Sequence, residues 1–197
     1  AQSHGLIVSS FEVEKEKRTG LDLSGDGAIC LEGKSDISFE LSFIPGHVTY
    51  FGYIFRLVNA HNENIDLLFN PHANHFYLVF KESYTPIDFT IDNKTLWNEW
   101  SVLRLRVEEN KLLFYVNDQL VGESPADFLD NCFKIFFGTC NLPGFRTTDI
   151  PPMKLRNIRI SQAQGLKYYW PVREFSGAFI SDSVTGKKAD VFNPVWI

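Results

Sequence analysis

Three groups of residues in this 197-residue chain are of types that could carry chemistry. The first is Glu12-Val13-Glu14-Lys15-Glu16, whose carboxylates alternate as they would along one face of a strand. A retaining glycosidase needs such a pair, nucleophile and acid/base, about 5–5.5 Å apart. Here the acids are interleaved with lysines, so the run reads as a solvated edge or loop. The second group is Arg56, Asp66 and Tyr77: a guanidinium, a carboxylate and a phenol. Together they suit a sugar, whose C–H faces stack on rings while its hydroxyls meet planar hydrogen-bonding groups. The competing reading is a cross-strand ion pair worth ~0.2–1 kcal/mol, with Tyr77 packed beside it or under a loop. The third group is His72 and His75, with His61, Asn62, Asn70 and Asn74 nearby. A spacing of three inside a Pro/Asn-rich turn, with no cysteine or clustered acid to complete a shell, reads as turn residues rather than a metal site. No G-x-S-x-G, phosphate loop or dinucleotide fingerprint occurs, and no cysteine lies among basic residues.

Arg56, Asp66 and Tyr77 become neighbours only if hairpins bring them together. Register follows from matching apolar residues across each turn, because a one-residue slip sends every side chain to the other face. A turn at residues 60–62 sets Tyr53 against Phe69, Phe55 against Leu67 and Leu57 against Ile65. One at 71–74 sets Phe69 against Phe76, Leu67 against Leu78 and Ile65 against Phe80. One at 81–86 sets Phe76 against Ile91, Leu78 against Phe89 and Phe80 against Ile87. Four strands then share one apolar face without a slip. On the other face Arg56 meets Asp66, Leu68 meets Tyr77, Asn70 meets His75 and Val79 meets Asp88.

The rest of the chain follows the same period. Ile37, Phe39, Leu41 and Phe43 alternate with Ser38, Glu40 and Ser42. Leu103, Leu105 and Val107 oppose Val116, Phe114 and Leu112 across Glu109-Asn110, and Asn117-Asp118 marks another tight turn. Further strands are predicted at 133–138 and 154–160, and one short helix at Ser124-Pro125-Ala126-Asp127-Phe128-Leu129, where a serine N-cap precedes a proline at the first helical position. Roughly a dozen short strands with closely spaced turns predict an all-β sandwich.

Composition agrees. Aromatics reach 15%, with 18 Phe, and such residues favour pleated sheet. A net charge of −5 argues against a nucleic-acid partner, and no apolar run is long enough for a membrane span. Cys30, Cys132 and Cys140 are too few and odd in number for a disulfide framework. Cys132 and Cys140 flank a predicted strand and stand too far apart to join, so buried free thiols are expected.

Leu96-Trp97-Asn98-Glu99-Trp100-Ser101-Val102-Leu103-Arg104-Leu105, followed by Lys111-Leu112-Leu113-Phe114-Tyr115-Val116-Asn117-Asp118-Gln119, resembles the tryptophan-led hairpin of the concanavalin A-like lectin/glucanase superfamily in its laminin G-like form. Phe136-Phe137-Gly138 and Leu155-Arg156-Asn157-Ile158-Arg159-Ile160 are similar to that family's glycine-ended and closing strands. The resemblance spans residues 6–161 and implies a laminin G-like antiparallel β-sandwich of two sheets over residues 1–161. Residues 162–197 would form a tail, since Trp170-Pro171-Val172-Arg173-Glu174-Phe175-Ser176-Gly177 and Asp182-Ser183-Val184-Thr185-Gly186 look like the opening of such units. With the apolar run Val195-Trp196-Ile197, this reads as the lead into an adjacent module of a longer bacterial exported protein.

The resemblance implies a non-catalytic periplasmic, cell-surface or extracellular module binding a glycan or polysaccharide, with Arg56, Asp66 and Tyr77 as ligand-binding residues. The alternative is a structural or protein-interaction spacer, and a glycoside hydrolase stands third. The family's catalytic pattern E-x-D-x-x-E is unmatched, because the acidic run lacks its central aspartate. Trp97 and Trp100 would pack at the core or its rim. Many laminin G-like domains bind calcium through loop acids and amides; Asp22, Asp26, Asn59, Asn141 and Asp149 are available, but no motif assigns them as ligands.

Overall fold

The computed structural model describes residues 3–25, 27–46 and 48–197; Asp26, one of the loop acids named above, lies outside these. In chain order the strands are β1 (Leu6–Val8), β2 (Gly20–Asp22), β3 (Ile29–Cys30), β4 (Ser35–Phe43), β5 (Gly52–Asn59), β6 (Asn64–Asn70), β7 (His75–Phe80) and β8 (Ser83–Thr90). Helix α1 (Asn93–Asn98) precedes β9 (Ser101–Val107), β10 (Lys111–Val116), β11 (Gln119–Pro125), β12 (Cys132–Gly138) and β13 (Met153–Gln162). The chain continues through β14 (Gly165–Trp170), β15 (Phe179–Ser181), β16 (Lys188–Phe192) and β17 (Val195–Trp196).

Two antiparallel sheets result. One runs β11-β10-β9-β4-β13-β1-β17, with β14 also on β13; the other runs β15-β16-β2-β12-β5-β6-β7-β8, with β3 also on β12. The alternating residues Ile37, Phe39, Leu41 and Phe43 all point into the space between them. Phe39 meets Phe55 and Phe137 edge-on at 5.9 and 5.0 Å, and Phe43 meets Phe69 at 4.8 Å. Phe89 stacks on Phe76 and on Phe114 of the facing sheet, so rings fill the interior in the offset and edge geometries their quadrupoles prefer. Each fully buried phenylalanine contributes roughly 1.5–3 kcal/mol. Gly138 ends β12 with φ of +69°, and a Cβ there would sit 2.6 Å from the Thr19 carbonyl oxygen; only glycine fits this corner.

The register of the predicted central hairpins holds in part. Arg56 pairs with Asp66, Leu67 with Leu78, Phe69 with Phe76, and Leu105 with Phe114. At the start of β5 a bulge intervenes: Tyr53 pairs with Leu68 rather than Phe69, Ile54 takes the core position, and Tyr53 swings to the outer face. The β7–β8 turn is not the broad loop of 81–86. Lys81 and Glu82 both have positive φ and close a two-residue hairpin, so Phe76 pairs with Phe89 and Tyr77 with Asp88, with a bulge between Tyr77 and Val79.

Two local expectations are corrected. Ser124 and Pro125 form no helix; they end edge strand β11, paired with Leu112 and Lys111, where the missing proline N–H is tolerated. The helix that does form is α1, capped by Asp92, whose carboxylate accepts from the Thr95 N–H at 3.0 Å and the Thr95 hydroxyl at 2.7 Å. Nor are all three thiols free. The β3–β12 pairing sets Cys30 directly opposite Cys132, and the two form a disulfide; Cys140 alone is a buried thiol.

Residues 162–197 are woven into both sheets. β14 pairs with β13, β16 with β2, and β17 with β1, where the Ile197 N–H donates to the Gly5 carbonyl at 3.1 Å. Trp170, Val172, Ile180, Ala189 and Val191 belong to the common core.

Candidate functional site

The outer face of β5–β8 carries the predicted residues in two rows set by register. One row is Tyr53, Leu68, Tyr77 and Asp88; the next is Arg56, Asp66, Val79 and Tyr84. Arg56 and Asp66 are brought together but buried, at 6% and 2% exposure. The guanidinium grips the carboxylate with two bonds, Nε to Oδ1 at 2.9 Å and Nη2 to Oδ2 at 3.2 Å, and Asn64 donates to Oδ2 at 2.7 Å. The remaining arm, Nη1, donates to the Phe145 carbonyl at 3.0 Å. The Tyr53 and Phe145 rings lie over the guanidinium at 4.4 and 5.4 Å. A loop clasped by the Cys140–Thr147 bridge thus covers the pair. Burial pushes the Asp66 carboxyl up to about 6, against the opposing pull of Arg56 and Asn64.

Tyr77 is placed differently. It is half-buried, its ring 5.4 Å from that of Tyr84, which is 80% exposed. These tyrosines border an open groove of about 520 Å³, lined also by Asn70, His75, Thr85 and Asp88. His75 Nδ1 lies 2.9 Å from Asp88 Oδ1. Burial, aided by Tyr84, Tyr53 and Asp88, raises the Tyr77 phenol above its ordinary value. Asp88 and His75 were visible on this face from the sequence. Tyr84 was hidden by the assumed broad turn, and its only signal was a tyrosine directly before Thr85-Pro86.

The acidic run is a loop and a 3-10 turn at Lys15–Lys17. Glu12 accepts from the Ser10 N–H and Glu14 pairs with Lys17 at 3.4 Å, so its carboxylates do not share a strand face. Trp97 packs on the core, 5.6 Å from Phe43, whereas Trp100 lies on the opposite side of the sheet under Arg156. Among the described residues, no three His, Cys, Asp or Glu side chains gather as a metal site. Of the loop residues named above, Asn59 accepts at its side-chain oxygen from the His61 and Glu63 N–H groups, and Asp22 accepts from the Ser24 N–H. Among the described residues, no helix is long and apolar enough to cross a membrane.

No protein-family model matches the sequence, and no curated protein is similar to it. Solved structures are similar in fold. A candidate carbohydrate-binding protein from Bacteroides ovatus aligns with TM-score 0.60 at 10% identity, over 100% of this chain and 60% of that one. The LG4-5 domains of mouse laminin α1 align with TM-score 0.53 at 13% identity, over 93% and 49%. The enzymatically active domain of a bacteriophage CBA120 tailspike aligns with TM-score 0.56 at 6% identity, over 88% and 30%. The chain thus spans about 60% of the first of these and less of the others. The fold is the concanavalin A-like, laminin G-like jelly-roll sandwich, and at these identities the likeness is one of fold.

Proposed function

We propose that this sandwich is a carbohydrate-binding module whose ligand lies in the groove on β7 and β8. The observation that carries this reading is the pair Tyr77 and Tyr84, two rings bordering an open groove beside Asp88, His75 and Asn70. An apolar surface flanked by planar polar groups matches the two faces of a sugar. The candidate carbohydrate-binding function of the Bacteroides ovatus protein lends support at the level of fold. Tyr77 keeps its expected role as a ligand contact. Arg56 and Asp66 act as positioning residues that seat Tyr53 and the covering loop beside the groove.

Binding without hydrolysis is favoured because Asp88 is the single carboxylate among the groove-lining residues, whereas glycoside hydrolases in general use a pair. The Cys30–Cys132 disulfide supports an exported location, where such bonds persist. A glycan array probed with the folded chain tests the proposal. At least one glycan should bind, and Tyr77→Ala or Tyr84→Ala should weaken it roughly tenfold, since a ring contact in such a site is worth about 1–2 kcal/mol. Binding unchanged by both substitutions would refute the groove. An array without a hit would favour the spacer reading, and release of reducing sugar would favour a hydrolase.

A further inference from the structure

The outer face of the other sheet has a charge balance opposite to that of the whole chain. On its three central strands, β9, β4 and β13, five cations (Arg104, Arg106, Lys154, Arg156 and Arg159) face two carboxylates, Asp36 and Glu40. The chain as a whole is at −5. The remaining acids on this side stand at its periphery: Glu123 on edge strand β11, Glu108 just after β9, 3.7 Å from Lys34 and 3.8 Å from Lys111, and Asp118 in the adjoining turn, 3.8 Å from Arg104.

The two halves of the face differ. Asp36 holds Arg106 at 2.7 Å and Arg104 at 3.3 Å, so the β9 cations are largely neutralised. Along β13, Lys154 and Arg159 pair in register with the uncharged Ser42 and Ser38, and only Arg156 reaches a carboxylate, Glu40, at 3.4 Å. The Arg156 Nε is buried without a hydrogen-bond partner. Rings hold these cations flat: Trp100 lies under Arg156 at 4.0 Å and Lys154 at 5.3 Å, and Tyr169 under Arg159 at 4.2 Å. The Tyr169 hydroxyl donates to Asn157 at 2.8 Å, and Asn157 in turn donates to Glu40, which fixes the row. Burial and the neighbouring Arg156 lower the Lys154 ammonium below its ordinary value, as expected where positive charge lacks a counterion.

We infer that the β13 row of Lys154, Arg156 and Arg159, backed by Trp100 and Tyr169, is a second ligand site that takes an acidic polysaccharide through its carboxylate or sulfate groups. Stacked guanidinium groups present their N–H edges ready for two-point contact with such anions, and the rings supply apolar surface to the sugar between them. The choice of a polysaccharide rests on the carbohydrate reading above; the choice of an acidic one rests on this face alone.

The test is titration of the 197-residue chain with polygalacturonate, heparin, uncharged dextran and single-stranded DNA in low salt. Polygalacturonate or heparin should bind more tightly than dextran and DNA, and binding should weaken as salt rises. Lys154→Gln and Arg159→Gln should each weaken it roughly tenfold. Lys94→Gln, which removes an exposed cation of α1 outside both sites, should leave it unchanged, and this separates a site on this row from charge alone. Circular dichroism confirms that each variant folds, and Lys154→Gln and Arg159→Gln spare the Arg156–Glu40 network. Equal binding of DNA, or indifference to both substitutions, would overturn the inference whether or not the groove binds glycan.

Discussion

Asp66 is a carboxylate whose partners, Arg56 and Asn64, do not fully offset its burial. In the folded chain it keeps its proton to about pH 6, against an ordinary value of 3.8. Between those values the folded state binds more protons than the unfolded one. The stability this group supplies is therefore complete below about pH 4 and lost as pH climbs through 6. Urea unfolding of the native chain and of Asp66→Asn at a series of pH values reads the difference directly. The native chain should lose on the order of 2 kcal/mol relative to the variant between pH 4 and 7; a pH-independent difference would show that Arg56 fully compensates the charge. Arg56, Asp66 and Tyr77 could be placed on one face from alternation alone, because the 60–62 and 71–74 turns leave little freedom in register. Their accessibility could not, since it depends on a loop that reaches Arg56 from Phe145, 89 residues along the chain.

At the scale of elements, the two-residue strand β3 is held to β12 by Cys30 and Cys132, 102 positions apart. Replacing both cysteines with serine should cost about 2–4 kcal/mol, read as a lower urea midpoint, if the bond acts by restricting the unfolded chain. An unchanged midpoint would mean that β3 is held by its backbone pairing. This bond was illegible for a physical reason: spacing can exclude Cys132–Cys140, but the Cys30–Cys132 pair exists only once β3 finds β12. The Tyr53 bulge and the Lys81-Glu82 turn were missed for a related reason. Tyr53 has a ring large enough to fill a core position as Ile54 does, and proximity of Pro86 made a broad turn look equally good. Where alternation was unambiguous, as in Leu103, Leu105 and Val107 against Val116, Phe114 and Leu112, every predicted pair formed.

For the whole molecule, the sandwich does not end at Ser161. Removing residues 163–197 would strip β14, β16 and β17 from their sheets and open the places filled by Trp170, Ile180 and Val191. The shortened chain should lose its cooperative thermal transition, because loss of one buried tryptophan alone costs about 3–5 kcal/mol against a typical stability of 5–15. A truncated chain that melts as sharply as the full one would mark the last 35 residues as an appendage. The strand pair β1 and β17 has a separate consequence. Residues 5 and 197 are hydrogen-bonded to each other, so the polypeptide enters and leaves this sheet at one place. A short linker could join the two ends, with new ends opened at the exposed Asn117-Asp118 turn, and the circular permutant would keep every strand pairing. By the same geometry, the domain could be grafted into a surface loop of a host protein without prying that loop apart.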